Sequence, residues 1–249
     1  MTQAEDVKLK KRFAIWELIG QGWDIMKNNV WQILGLEVVL FLLYALLMGM
    51  IYLIFPTNNT NNLSVISAAN SLSSAIVGYI FSLGAIYYSL LYADLKPVTF
   101  TAFFSKSHLI LKYFLATIVY IICILVGLIC LIIPGIIVAI RFSLYGYFIV
   151  DKEMGPIQAL EESWNTVRGV GWKMLGFWLA SILVNLAGLL CLGVGLLFSI
   201  PATWIAAALL YRTLWTQTNS VLIAKPDGRG DGTDGTGRKG SDDGQLKPG

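Results

Sequence analysis

A chain of 249 residues that is 56% hydrophobic and only 13% charged, with a mean hydropathy of +0.69, is excluded from the soluble domains, where roughly a quarter of residues are charged. No Asp, Glu, Lys, Arg or His occurs from Val38 to Ala93, a stretch long enough for two membrane spans of ~20 residues. A net charge of only +3 gives no ground for a nucleic-acid partner, so the placement of the charges carries the signal.

Residues 1–12 form a charged arm with Lys8, Lys10, Lys11 and Arg12; no cleavage site follows closely, so the first span is expected to stay in the mature protein. Residues 13–29 then read as an amphipathic helix, with Ile15, Leu18, Ile19, Trp23 and Met26 on one face and Glu17, Asp24 and Lys27 off it. Its simplest place is the headgroup region. The first span is 31–55, closed by Pro56 and the polar run 57–62. The second is 67–92, where Ser67, Ser71, Ser74, Gly78, Ser82, Ala85 and Ser89 fall three or four apart and make one stripe. Small stripes let helix backbones approach in lipid, and packing is the simpler use; a polar groove for a substrate, with Ser74 and Ser82 in its wall, is the functional one.

Asp94, Lys96 and Pro97 close that span, and 98–112 is a second surface segment holding the lone histidine, His108, expected to be solvated at the interface. The remaining spans are 113–131, 134–150, 172–192 and 200–217. Between the fourth and fifth lies a third surface helix, 156–168, opened by Pro156. Ile157, Leu160, Trp164 and Val167 are its expected apolar face, with Glu161, Glu162 and Arg168 toward water. The Gly/Asp-rich residues 225–249, including an Arg229-Gly230-Asp231 tripeptide read as chance, have too few apolar side chains to fold. Cys123, Cys130 and Cys191 fall inside apolar runs with no CxxC pair and are read as packing residues.

Laying Trp23 on Trp164 also lays Lys27 on Arg168, Trp31 on Trp172 and Gly35 on Gly176. A looser third copy places Phe104 at the first Trp position and Leu115 at the position of Leu34 and Leu175. The expected fold is therefore all-α: a membrane domain over 13–224 with six transmembrane helices, arranged as three repeats of interfacial helix plus hairpin at about 13–93, 98–150 and 156–224. Trp23, Trp31, Trp164, Trp172, Lys27 and Arg168 are its interfacial anchors. The surface segments hold Lys27, Lys96, Lys106, Lys112, Lys152, Arg168 and Lys173, whereas the hairpin turns hold no cation. By the positive-inside rule both termini are cytoplasmic and the protein sits in the cell membrane. The sequons at Asn58 and Asn62 would then lie outside.

The residues Ile133-Pro134-Gly135, Arg141, Asp151 to Glu153, Gly155-Pro156, Ala159, Ser163-Trp164, Arg168-Gly169 and Trp172 resemble a large group of poorly characterised prokaryotic multi-pass proteins. That group includes the membrane domain found ahead of some glycerophosphodiester phosphodiesterases. The resemblance covers about residues 98–215 and implies a helical domain of about six spans, with no established activity for most members. The polar residues after the sixth span are too few for the ~250-residue barrel of such an enzyme, and its metal-binding His and Glu residues have no counterpart.

Glu37 and Arg141 are the two ionisable residues this reading places inside spans, at similar depth, and either they pair in the bundle interior or each snorkels separately. One histidine, no nucleophile motif and no metal-ligand spacing argue against an enzyme, a cofactor or a metal. Two functions stay open. The first is a protein that organises lipids, or another membrane or cytoplasmic protein, through its surface helices. The alternative is a small transporter or channel for a polar or anionic solute, lined by Glu37, Arg141 and the serine stripe. Oligomeric state is not legible.

Overall fold

A computed structural model describes residues 13–54, 63–191 and 193–224. The N-terminal arm, the 57–62 loop with its sequons and the Gly/Asp-rich tail lie outside the described residues. The described chain is helical: α1 (Ile15–Asn28), α2 (Val30–Ile54), α3 (Leu63–Ala93), α4 (Phe100–Phe104), a 3-10 turn (Ser107–Leu109), α5 (Ile110–Cys130), α6 (Ile132–Phe142), α7 (Tyr145–Lys152), α8 (Pro156–Val167), α9 (Gly171–Leu190) and α10 (Leu196–Ala224). Among the described residues six stretches are long and apolar enough to cross a membrane, and the protein is a multi-pass membrane bundle.

α1 is amphipathic as expected, but its apolar face meets the bundle. Leu18, Ile19, Gly22 and Met26 are buried, mainly along α10. A Cβ on Gly22 would lie 2.5 Å from the Ala202 carbonyl oxygen and 2.9 Å from the Ala206 nitrogen, so only glycine allows the two backbones this close. The backbone N–H of Asn29 bonds back to Ile25 and Met26, and its side-chain amide donates to the Ile25 carbonyl at 2.9 Å. The helix ends there and α2 sets off at once. Apolar on all sides, α2 leaves Phe41, Leu42, Leu46 and Leu53 exposed, as a lipid-facing helix does. Trp31 and Trp172, at the starts of α2 and α9, are 84% and 87% exposed, free to sit among headgroups.

The fourth span is not the continuous helix that 134–150 predicts. It is broken between α6 and α7 at Ser143 and Leu144, although no Gly or Pro lies there. Ser143 Oγ donates back to the Ile140 carbonyl at 2.8 Å, a bond that bends helices. The groups freed by the break are taken up by α8: Ser163 Oγ donates to the Arg141 carbonyl at 2.8 Å and accepts from the Leu144 N–H at 3.2 Å. This is how a broken span persists in lipid, where each unpaired backbone group would cost several kcal/mol. Accordingly α8 buries Ala159, Leu160, Ser163, Thr166 and Val167, and the expected apolar face is corrected at Ile157, which is exposed.

The segment 98–112 also departs from a single surface helix, because it divides into the five-residue α4, the 3-10 turn and the first residues of α5. His108 is exposed there, as expected, with Nδ1 3.1 Å from the Ser105 carbonyl oxygen. The main core gathers α7, buried from Tyr145 to Val150, with Phe177, Met174, Leu210, Tyr211 and Leu214. Tyr211 stacks on Tyr147 at 5.5 Å and meets Phe148 edge-on at 5.0 Å. A second, smaller cluster joins Met26 and Ile33 to Tyr88, Tyr92, Phe103, Ala202 and Ile205.

Candidate functional site

Beside that second cluster, α2, α3 and α10 stand apart and leave a cleft of about 380 Å³. The serine stripe of α3 produces the space: Ser82, Ala85 and Ser89 all line it, with short side chains where larger ones would close the gap. Ser74 lies outside the cleft and half-buried, its Oγ donating to the Asn70 carbonyl at 2.7 Å, a local bond within the helix. The opposite walls come from Ile33, Leu36, Leu40 and Phe41 on α2 and from Pro201, Trp204 and Ile205 on α10. Rings of Tyr44, Phe81, Tyr88 and Phe103 interlock along one side, with centroids 5.1 to 5.4 Å apart.

Glu37 projects into this apolar space. Its Oε2 is shielded and has no hydrogen-bond partner among the described residues, and the same holds for the hydroxyl of Tyr92 in the same wall. By contrast the Tyr88 hydroxyl donates to the Thr99 carbonyl at 2.6 Å and Ser89 Oγ to that of Ile86 at 2.7 Å. Among the described residues no Lys, Arg or His lines the cleft.

Arg141 is elsewhere. Its guanidinium carbon sits 4.3 Å from the centroid of the Trp164 ring, stacked between α6 and α8. Of the two arrangements left open, the Glu37–Arg141 pair is not formed, because equal depth along two helices says nothing about which way each side chain points around its axis. Trp164 and Trp23 are half-buried rather than free anchors, each facing a cation, Lys27 at 5.8 Å in the case of Trp23; Lys27 and Arg168 themselves are exposed.

A third ionisable residue within a span, Arg212 on α10, was overlooked in the sequence. It grips Asp94 with two parallel hydrogen bonds, Nε to Oδ1 at 2.8 Å and Nη2 to Oδ2 at 2.7 Å, and reaches Asp151 Oδ2 through Nη1 at 2.8 Å. Tyr211 donates to the same Asp151 oxygen at 2.8 Å. One guanidinium thus ties the ends of α3 and α7 to α10. Burial alone would raise the Asp94 carboxyl, but hydrogen bonds from Arg212 and Lys96 outweigh it and hold that group below the usual carboxylate range. Nearby, Glu153 takes the left-handed conformation that ends α7 (φ 53°) and is held by Lys106 through its carboxylate and by Lys112 through its carbonyl. The Lys106 hydrogen bond lowers the Glu153 carboxyl. Among the described residues no group of three or more His, Cys, Asp or Glu is placed to hold a metal, and the three cysteines are free thiols.

Residues 83–224 match the model of a family described as a domain of unknown function, DUF7847. Among curated proteins, the uncharacterized protein Rv2560 of Mycobacterium tuberculosis and the uncharacterized protein Mb2590 of Mycobacterium bovis are each 33% identical over 123 residues. The match covers 49% of this chain and 37% of each relative, so the chain aligns with little more than a third of their length. No solved structure matches. The family is thus a poorly characterised one, as the resemblance implied, and none of these matches touches the phosphodiesterase-linked membrane domain.

Proposed function

The chain belongs to the DUF7847 family, whose description carries no activity, and we propose from the cleft that it is a small membrane transporter for a mostly apolar solute with one polar group. The observation that carries this reading is the pair of unpartnered polar atoms, Glu37 Oε2 and the Tyr92 hydroxyl, in the wall of an otherwise apolar 380 Å³ cleft. Pockets of about 300–1,000 Å³ with few polar groups among apolar walls are typical of small-molecule sites. An ionisable group at membrane depth costs about 3 kcal/mol, and such residues mark solute paths. The anionic solute foreseen from Arg141 loses its basis, since that guanidinium is stacked on Trp164 and does not line the cleft. Organising partners through surface helices draws less support, because α1 and α8 turn their small and apolar faces into the bundle.

The lysine-bearing connectors favour a cytoplasmic placement of both termini. The Trp23/Trp164 and Trp31/Trp172 correspondence supports a duplicated helix-plus-hairpin unit, with the segment around α4 as its most eroded copy.

Native mass spectrometry of the purified chain tests the proposal. A small molecule should co-purify and be absent from a Ser82→Trp variant, whose indole fills the cleft. A Ser82→Trp chain that is folded and equally loaded would refute it.

A further inference from the structure

Resting on that reading of the cleft, we infer the chemical class of the solute: a hydrophobic cation, meaning a protonated amine or onium centre carrying apolar substituents, with Glu37 as its counter-charge. The reasoning begins from the charge inventory. Among the described residues the cleft contains one carboxyl group and no basic side chain, while the cations of α6 and α10 are engaged elsewhere: Arg141 on Trp164, Arg212 on Asp94 and Asp151. A carboxyl group in an apolar wall keeps its proton unless a positive partner faces it, and among the described residues the protein supplies none there. The occupant is left to bring it.

The walls agree with that assignment. Tyr44, Phe81, Tyr88, Tyr92, Phe103 and Trp204 border the cleft, and the negative faces of aromatic rings attract cations, more strongly where water is excluded. Edge-to-face contacts of Phe81 with Tyr44 and Phe103, and a tilted contact of Phe103 with Tyr88, fix these rings in place. Leu36, Leu40, Ile33 and Ile205 supply the surface for apolar substituents. An anion would meet the carboxyl group and ring faces, with no charged donor among the described residues and only tyrosine and serine hydroxyls to bond it. Entry from the bilayer suits this class as well, since α2 is largely exposed along its length and bounds the cleft on one side.

Two ions of matched size and opposite charge, tetraphenylphosphonium and tetraphenylborate, provide the test, with equilibrium binding measured on the full chain in neutral detergent. The cation should bind about 100-fold more tightly than the anion, because a like charge against Glu37 costs several kcal/mol. Glu37→Gln should weaken cation binding by about 30-fold or more, the loss that follows removal of one buried charge partner, while Glu37→Asp retains most of it. Ser82→Trp should abolish it. Glu37→Gln is isosteric and removes an unpaired buried charge, so its melting temperature should stay level or rise, which separates lost binding from lost folding. Equal binding of both ions, binding of neither by the wild-type chain, or unaltered cation binding in a folded Glu37→Gln variant would overturn the inference. A Ser82→Trp chain that keeps its co-purifying molecule removes the cleft reading and this inference together. One that loses that molecule while the wild-type chain binds the two ions alike removes this inference alone.

Discussion

Replacing Arg212 by Met removes the only guanidinium shared by Asp94 and Asp151 among the described residues, and the geometry allows its effect to be sized. The side chains of Arg212, Asp94 and Asp151 are 27%, 19% and 13% exposed, so water screens the cluster only in part. Unit charges about 4 Å apart at an effective dielectric constant of ~20 attract by roughly 4 kcal/mol. Much of that is offset by desolvation, and breaking a buried pair by removing one partner costs about 3–5 kcal/mol. Partial exposure places Arg212→Met near the lower end, about 3 kcal/mol. For a chain of this size that is a fall of roughly 6–12 °C in melting temperature, at 2–4 °C per kcal/mol. Thermal unfolding in detergent followed by tryptophan fluorescence measures it. Adding Asp94→Asn and Asp151→Asn should restore more than half of the loss, since the damage is two largely buried carboxylates left with only the more exposed Lys96 and Lys152 as partners. An Arg212→Met chain that melts within about 2 °C of wild type, or one that the two asparagines do not rescue, refutes the reasoning.

Three further outcomes follow from the packing. Gly22→Val drives a side chain into the Ala202 carbonyl and should cost about 1–3 kcal/mol through forced separation of α1 from α10, read as a lower melting temperature. Ser163→Ala leaves the buried Leu144 N–H without its acceptor; a loss of about 1–3 kcal/mol is expected, and hydrogen exchange at Leu144 should accelerate while exchange within α9 does not. Because the Asp94 carboxyl is held below its ordinary range, its contribution is complete at neutral pH and is lost as pH falls below about 4 and through the lower folded value. A melting-temperature profile from neutral to acid should therefore drop less steeply for Asp94→Asn than for wild type; parallel profiles would contradict the clasp.

The spans were legible in the sequence because lipid rewards unbroken apolar length, and α2, α3, α5 and α9 fall within a few residues of the expected limits. Features made by distant partners were not. Arg212 meets carboxylates 118 and 61 residues earlier in the chain, so no local spacing announces the cluster, although Asp94 and Asp151 both ending spans was an available hint. The break at Ser143 is stabilised by Ser163, and hydropathy reads straight through it. Part of the candidate site was visible: Glu37 stood out as a charge in a span, and the stripe named Ser82. What could not be read was azimuth. It sends Glu37 into the cleft and Arg141 onto Trp164, and it leaves Ser74 outside.

The claim that a solute sits opposite Glu37 is tested most directly by diffraction from crystals of the chain grown with tetraphenylarsonium, whose arsenic scatters anomalously. An arsenic peak between α2, α3 and α10, within about 6 Å of an aromatic ring of the cleft, is the predicted result. A cleft without arsenic while the peak lies on the lipid-facing surface, or no ordered arsenic at all, would contradict the account.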